Sequence, residues 1–496
     1  MWRLGLTVDV STLQLNTLEA RAREILEFLP SLRNILQPVN RLPPEILSRI
    51  ARYSLDEDVR DARSIVPLTH VCRYWRESIT SAPENWTRIS DDRIELAKLS
   101  LKRAKAARLD VTIDIHRFGA ESFGLITDHA KNIDTLRVHN LSGREELTAA
   151  VPNFPQSTPN LQSLTLLCAY TSAEWDRSID PFELLPPTLT CLSLFNVPLY
   201  PSLRNLTLLT DLTLRYHRFD LNLDTLLDFL EHNRWLESAT LDIRFTEPAL
   251  RSSRRREPIR NRLRHLSISC NNPMNAQVLI SKIGLRKGAH LEISSLDRDT
   301  GLNDILSGIP TTHLSNLPSA VFMEYRSYPR AIHLWGPNGS FSFSCFPSSA
   351  TPFVEFPLLS LSNVREFRLK HRAPGRLWAL PESLVFHSPS FPTLETLSID
   401  YSADLPGLLS TLLSNPSASP SLNTLTFLDC IITQSFMEDL TRFSSDRKST
   451  TSAWLHRVVI IDQDGEFPSA AAIRGLGRHV PVVDVRFGTK LPTDLT

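Results

Sequence analysis

Glycine is scarce in this chain: 16 residues of 496, none of them in a Gly-x-Gly-x-x-Gly run or a Gly-Lys-Ser/Thr phosphate loop. Without such loops the backbone has no ready cradle for phosphates, and the nucleotide-dependent classes lose their sequence support. Cysteine is scarce too. Cys72, Cys168, Cys191, Cys270, Cys345 and Cys430 are scattered, with no Cys-x-x-Cys pair. Neither a zinc ribbon nor a disulfide framework is indicated, and free thiols in a reducing compartment are expected. His-Glu-x-x-His and Gly-x-Ser-x-Gly are missing as well. Asp462-Gln463-Asp464-Gly465 opens like a calcium loop, but no Glu follows where the coordination shell would close. The expectation is a chain that is not an enzyme and holds no cofactor or metal.

Charge of one sign is lacking: 54 Lys and Arg balance 54 Asp and Glu. A neutral chain offers no general basic face for phosphates, so nucleic acid is not expected as a partner. No run of about 18 apolar residues is present for a membrane span. Met1 to Val10 carries Arg3 and Asp9 without the apolar core of a signal peptide, so a cytoplasmic and/or nuclear protein is expected. In that setting the sequons at Asn85, Asn140, Asn205 and Asn338 read as coincidence.

What the chain does have begins with leucine at helical spacing. In Ser11 to Leu36, the residues Leu15, Leu18, Ala22, Ile25, Leu29, Leu32 and Leu36 alternate steps of three and four. Pro30 should end or kink this helix near Leu29. Two readings stay open: an amphipathic helix folded back on the next module, which the short repeat favours, or a dimerisation helix.

From Val39 to Arg88 the pattern changes. Pro44 suits the first position of a helix because its missing N–H would be unpaired there anyway, and Glu45 complements the positive helix end. Leu42, Ile46, Leu47 and Ile50 recur at helical spacing, and Leu68, Val71, Cys72, Trp75 and Ile79 do so again further on. Leu42-Pro43-Pro44-Glu45-Ile46-Leu47, Val71-Cys72-Arg73-Tyr74-Trp75-Arg76 and the closing Pro83-x-x-Trp86 follow in order. This arrangement resembles the F-box, specifically the F-box-like group common in fungal proteins. The spacer from Asp56 to Ile65 is longer and more charged than is usual in that family. The resemblance implies a three-helix orthogonal bundle docking on the Skp adaptor of a Skp–cullin–F-box ubiquitin ligase. It further implies contact through Leu42, Pro43, Pro44, Ile46, Leu47, Ile50, Leu68, Val71 and Trp75. The plain alternative is a helical hairpin whose Trp75 and Trp86 fill a core.

Ile94 to Arg108 reads as an amphipathic helix whose Lys98, Lys102, Arg103 and Lys105 form a solvated strip, and Leu109 to Ile115 alternates like a half-buried strand. Then one theme takes over, Leu-x-x-Leu-x-Leu. It occurs at Ile133/Leu136/Val138, Leu161/Leu164/Leu166, Leu189/Leu192/Leu194, Leu209/Leu212/Leu214, Leu236/Ala239/Leu241 and Leu263/Leu266/Ile268. It returns at Val364/Phe367/Leu369, Leu394/Leu397/Ile399, Leu422/Leu425/Phe427 and Leu455/Val458/Ile460. Steps of about 20 to 33 residues resemble the leucine-rich repeat, whose strands stack along one side of a solenoid with helices such as Asp224 to Leu236 and Leu405 to Leu413 on the other. That family's Asn or Cys, three residues past the strand core, is met by Asn271 and Cys430 alone.

Between Asn272 and Asn363 no clean copy occurs. His290 to Ile293, Ala331 to Trp335 and Phe341 to Phe346 read as strands of degenerate repeats continuing the same sheet. Arg251 to Arg256 reads as a surface loop or a nuclear-localisation site, and Asn415 to Ser421 and Ser444 to Ser452 read as flexible loops.

The expected fold class is α+β: an N-terminal helix (1–38), an F-box-like helical module (39–88) and an irregular leucine-rich-repeat αβ solenoid (89–496). By strand alternation, residues flanking the core leucines face outward and offer a protein-binding surface. Arg137, His139, Asp211, Arg215, His265, Glu366, Arg368, Lys370 and Asp400 lead that set. The implied function is a substrate-recognition subunit, with a Skp-type adaptor, a cullin and a protein substrate as partners. Two other classes compete. One is a scaffold that no longer binds the adaptor. The other is an enzyme hidden in the middle region, with His290, His313 or His333 converging on a carboxylate.

Overall fold

The computed structural model describes residues 12–53, 62–118, 122–141, 158–168, 180, 182–183, 185–220, 223–244, 259–260, 262–270, 273–285, 288–295, 320, 322–327, 330–337, 339–345, 362–370, 391–400, 405, 409, 412, 419–430, 432–450, 454–462 and 468–487. They fall into two compact units, 1–189 and 190–496. Among the described residues no helix is long and apolar enough to cross a membrane.

The first unit opens with α1 (Thr12–Leu36), which continues through Pro30. Proline removes one rung of the helix ladder, and its fixed φ is itself helical. The far end is tied down: Asn40 Nδ2 donates to Asn34 O at 2.5 Å and Gln37 N donates to the same carbonyl at 3.1 Å. The helix is not folded back as expected. Leu15, Leu18, Ile25, Leu29 and Leu36 remain 46–67% exposed.

Next come α2 (Pro44–Tyr53), a 3-10 turn at Pro67–His70, α3 (Arg73–Ser81) and a 3-10 turn at Pro83–Trp86. Most of the charged spacer, residues 54–61, lies outside the described residues. The chain then runs directly into a sheet: β1 (Arg88–Ser90), α4 (Ile94–Ala104), β2 (Leu109–Asp114), β3 (Ile133–Leu141) and β4 (Ser163–Cys168). These strands pair in parallel, β1 with β2, β2 with β3 and β3 with β4. The expected alternation of β2 is seen, with Leu109, Val111 and Ile113 buried. The basic strip on α4 is not simply solvated, because the Arg103 guanidinium lies 4.3 Å from the centre of the Trp86 ring.

In the second unit β5 (Cys191–Phe195), β6 (Asp211–Asp220) and β7 (Ser238–Arg244) continue as parallel neighbours. A short pair, β8 (Ile259–Arg260) with β10 (Ile283–Gly284), stands apart from the main sheet. β9 (His265–Cys270) joins β7 on one side and β11 (His290–Ser295) on the other, both in parallel. β12 (Phe322–Ser327), β13 (Arg330–Gly336) and β14 (Gly339–Cys345) follow. The far end holds β15 (Glu366–Lys370), β16 (Thr396–Asp400), β17 (Thr424–Leu428), β18 (Arg457–Asp462) and β19 (Val482–Phe487), each parallel to the next.

All thirty core positions of the ten Leu-x-x-Leu-x-Leu copies are buried. The register pairs like with like, as in Leu136↔Leu164, Leu192↔Leu212↔Ala239↔Leu266 and Phe367↔Leu397↔Leu425↔Val458. Burying an aliphatic or aromatic side chain contributes about 1.5–3 kcal/mol, which makes this apolar column the main stabilising term of each unit. The residue before the first leucine adds a polar tie one copy back. Asn160 Nδ2 donates to Lys131 O (2.6 Å), Thr188 Oγ1 to Pro159 O (3.2 Å), Thr393 Oγ1 to Ser362 O (2.6 Å) and Ser421 Oγ to Pro392 O (2.8 Å).

Just past the strand cores Asn140, Asn196 and Asp429 take positive φ of 56°, 54° and 49°, a region that Asn and Asp tolerate. The next residue is buried in each case. Cys430 fills that place with its Sγ 3.5 Å from Ile399 O, while Leu141 and Val197 fill it with apolar bulk. Asn271 lies outside the described residues.

Two expectations are corrected. The middle strands do continue the sheet, but not as parallel repeats: β13 runs antiparallel to both β12 and β14. β14 is the strand that pairs with β11, and β12 the one that pairs with β15, so a short meander bridges the two parallel runs. The Ser444 to Ser452 loop is helical to Thr450. There Ser444 Oγ donates to Leu440 O at 2.7 Å, and the buried Arg447 donates to Ser419 O at 2.5 Å. A serine whose hydroxyl bonds back into its own helix no longer competes with the backbone. Of the expected helix Asp224 to Leu236 the chain is helical over Leu223–His232 and not beyond; of Leu405 to Leu413 only Leu405, Leu409 and Leu412 are described, all in helix. The run Arg251 to Arg256 and most of Asn415 to Ser421 lie outside the described residues.

Tyr216 on β6 is fully buried and its hydroxyl has no partner among the described residues; burial pushes its pKa far up. An orphaned buried hydroxyl costs about 1–3 kcal/mol. Tyr216→Phe is therefore expected to leave stability unchanged or raise it by about 1 kcal/mol in urea denaturation. A loss above 1 kcal/mol would reveal a hidden partner.

Candidate functional site

Helix α2 is apolar on two sides. Leu47, Ser48 and Ala51 are buried, whereas Ile46 is 37%, Ile50 38% and Tyr53 83% exposed. Positions 46, 50 and 53 recur at i, i+4 and i+7 and so share one face. The buried face is held by polar clamps as well as packing. Ser48 Oγ donates to Asn85 Oδ1 at 3.1 Å, and Asn85 Nδ2 donates to Ile79 O at 3.3 Å. Trp86 Nε1 donates to the same Ile79 carbonyl at 3.0 Å. On the other flank Trp75 Nε1 donates to Asn40 Oδ1 at 2.7 Å and the Tyr74 hydroxyl to Leu42 O at 2.7 Å.

The nine residues implied by the resemblance thus divide. Leu47 and Trp75 belong to the interior and shape the surface from beneath. Pro43, Pro44, Ile46, Ile50 and Val71 are exposed, and Leu42 and Leu68 are half-buried. Asn40, Ser48, Tyr74 and Asn85 are not among the nine, although Tyr74 lies within the Val71 to Arg76 run. Tyr74 and Asn85 carried a signal, as a member of that run and as the residue before the closing tryptophan; Asn40 and Ser48 carried none.

The outward positions of the sheet hold the second candidate set, described unit by unit. In the first, Arg137 on β3 pairs with Asp110 on β2, and His139 stands two residues further along β3. In the second, Asp211 and Arg215 stand on β6; Asp211 accepts from Thr210 Oγ1 at 2.7 Å and the Arg215 guanidinium lies 5.2 Å from the Phe195 ring. Arg368 on β15 donates to Asp400 on β16 at 3.3 Å. Glu366 and Lys370 flank Arg368, and burial raises the Glu366 pKa against the opposing pull of Arg368. Much of this set is thus cross-strand ion pairing. At the end of the sheet Asp484 extends the theme. Its carboxyl is held below the usual carboxylate range by hydrogen bonds from Arg486, at 2.7 Å, and Arg457, at 3.4 Å.

The histidines of the competing enzyme reading separate. His290 lies beside His265 and Glu292, with the two rings stacked 4.8 Å apart. His333 stands on β13, accepting or donating at Ser342 Oγ (2.8 Å) and stacked on Trp335. His313 lies outside the described residues.

Comparison with family models finds an F-box-like domain at residues 39–92. No curated protein matches the chain. The F-box-like domain suggests a role in protein–protein interaction.

Proposed function

We propose that this chain is the substrate-recognition subunit of a Skp–cullin–F-box ubiquitin ligase, carrying an F-box-like domain of the fungal type. The observation that carries the reading is the partly exposed outer stripe of α2, Ile46, Ile50 and Tyr53, inside the segment that matches the F-box-like model. A helix buries one apolar face for stability, so a second one kept in solvent marks a place for another protein. The Skp-type adaptor docks on that stripe together with Leu42, Pro43, Pro44, Leu68 and Val71, and reaches the cullin in turn. Leu47 and Trp75 hold the stripe in place from inside.

The stacked parallel strands are read as an irregular leucine-rich-repeat solenoid. The ten buried copies and the polar ties between neighbours support that reading. Its outward residues hold the protein substrate through Arg137, His139, Asp211, Arg215, His265, Glu366, Arg368, Lys370 and Asp400. The chain does no chemistry itself; it raises the effective concentration of substrate lysines at the ligase.

Co-expression of the full chain with a Skp-type adaptor tests this. A stoichiometric complex surviving gel filtration is expected. A folded chain that elutes without the adaptor would instead make it an interaction scaffold.

A further inference from the structure

We propose that His265, His290 and Glu292 form a binding site for one divalent transition-metal ion of the zinc type on the outward face of the sheet. The site follows from register. Parallel pairing sets His290 on β11 directly opposite His265 on β9, and the rings stack nearly parallel at 4.8 Å, the spacing of adjacent strands. Glu292 is two residues beyond His290 on the same strand and therefore on the same face. Leu291 and Ile293 between and beyond them point into the core and fix the alternation.

One ligand atom from each of the three residues already lies within 4.8 Å of the others. Zinc bonds of about 2 Å in a tetrahedral arrangement need ligand atoms roughly 3.4 Å apart, a closure within the reach of side-chain torsions. The donor set of two imidazoles and one carboxylate is one that zinc uses with a fourth position left open.

The surroundings favour the liganding form. Ser340 on β14, in register with His290, places its Oγ 2.5 Å from His290 Nδ1. With Nδ1–H donating to that hydroxyl, Nε2 keeps the lone pair that a metal takes, the usual outer-shell arrangement at metal-bound histidine. All three ligand residues are half-buried, so the ion would be partly desolvated and still reachable. The inference rests on this cluster alone and does not depend on what the outward face binds.

The test uses the tag-free full-length chain, stripped with a chelator. Zn²⁺ calorimetry and the visible absorption of Co²⁺ are both expected to show one equivalent bound, with a Co²⁺ spectrum of low coordination number. His265→Gln/His290→Gln should weaken binding on the order of a hundredfold or more. Glu292→Gln, which keeps the shape of the side chain, should weaken it as well, and Ser340→Ala about tenfold. His333→Gln should leave it unchanged. Far-UV circular dichroism confirms folding, and the Glu292 and Ser340 variants carry the test if the double variant does not fold. Absence of binding to the folded wild-type chain overturns the proposal. So does undiminished binding by folded Glu292→Gln and His265→Gln/His290→Gln chains.

Discussion

A chain carrying Ile46→Glu and Ile50→Glu is expected to fold and to lose the Skp-type adaptor entirely in co-purification. Both side chains are more than a third exposed, on the side of α2 away from Leu47 and Ala51. Glutamate is as good a helix former as isoleucine or better, but each side chain is still about two-thirds covered, so a loss of about 1–2 kcal/mol per substitution is expected and circular dichroism checks that the chain folds. In the complex, however, each carboxylate would be buried without a partner. Even after relaxation that costs several kcal/mol per ion, and about 2.8 kcal/mol already weakens binding a hundredfold. Leu47→Glu is the contrasting control. It puts the same charge on the buried face and should unfold the module, so loss of adaptor there carries no information about docking. If the double variant kept the adaptor at wild-type recovery, the stripe would not be the docking surface and another face of the domain would have to be found.

Trp86→Ala is expected to destabilise the first unit by about 3–5 kcal/mol, the range for truncating a buried aromatic side chain. Trp86 is fully buried and donates to Ile79 O, and Arg103 of α4 covers its ring. Its removal takes away packing between the helical module and α4, including the seat of Arg103. The Ile79 carbonyl itself is not orphaned, because Asn85 Nδ2 also donates to it. The loss is therefore mostly cavity and dispersion, and Trp86→Phe should recover the larger part. Arg103→Met should cost less, about 0.5–1 kcal/mol, since it removes the cation–π contact but keeps an apolar stem on the ring. Urea denaturation followed by circular dichroism measures all three. A Trp86→Ala loss below 1 kcal/mol would mean that the module and the strands after it are held together elsewhere. Domains of this kind are stable by about 5–15 kcal/mol, so the expected loss removes a large share of the margin and populates the unfolded state only if the unit lies at the low end of that range.

The sheet was legible because strand periodicity is short. A core residue at every second position can point only one way, and each Leu-x-x-Leu-x-Leu copy announces its own strand without reference to the others. The polar ties were half visible. In Pro159-Asn160-Leu161, Pro392-Thr393-Leu394 and Pro420-Ser421-Leu422 the proline marks where a copy starts, yet it is the middle residue that reaches the preceding copy. The helical stretches were harder. Ile46, Leu47 and Ile50 all fit one apolar helix, and periodicity alone does not say which edge faces α3. Pro30 and the serines of Ser444 to Thr450 were read by local propensity. Proline's fixed φ is itself helical, and in the second case Ser444 bonds back to Leu440 and Arg447 to Ser419.

By itself, then, the sequence determined the helical module's order of motifs and the inward column of the ten Leu-x-x-Leu-x-Leu strands, because both depend on spacings of a few residues. The tertiary structure alone decided which face of α2 stays open, that β13 runs against its neighbours, and that His265, Ser340 and Glu292 meet around His290. Those outcomes depend on strand register and on contacts between residues far apart in the chain, and no local pattern carries that information.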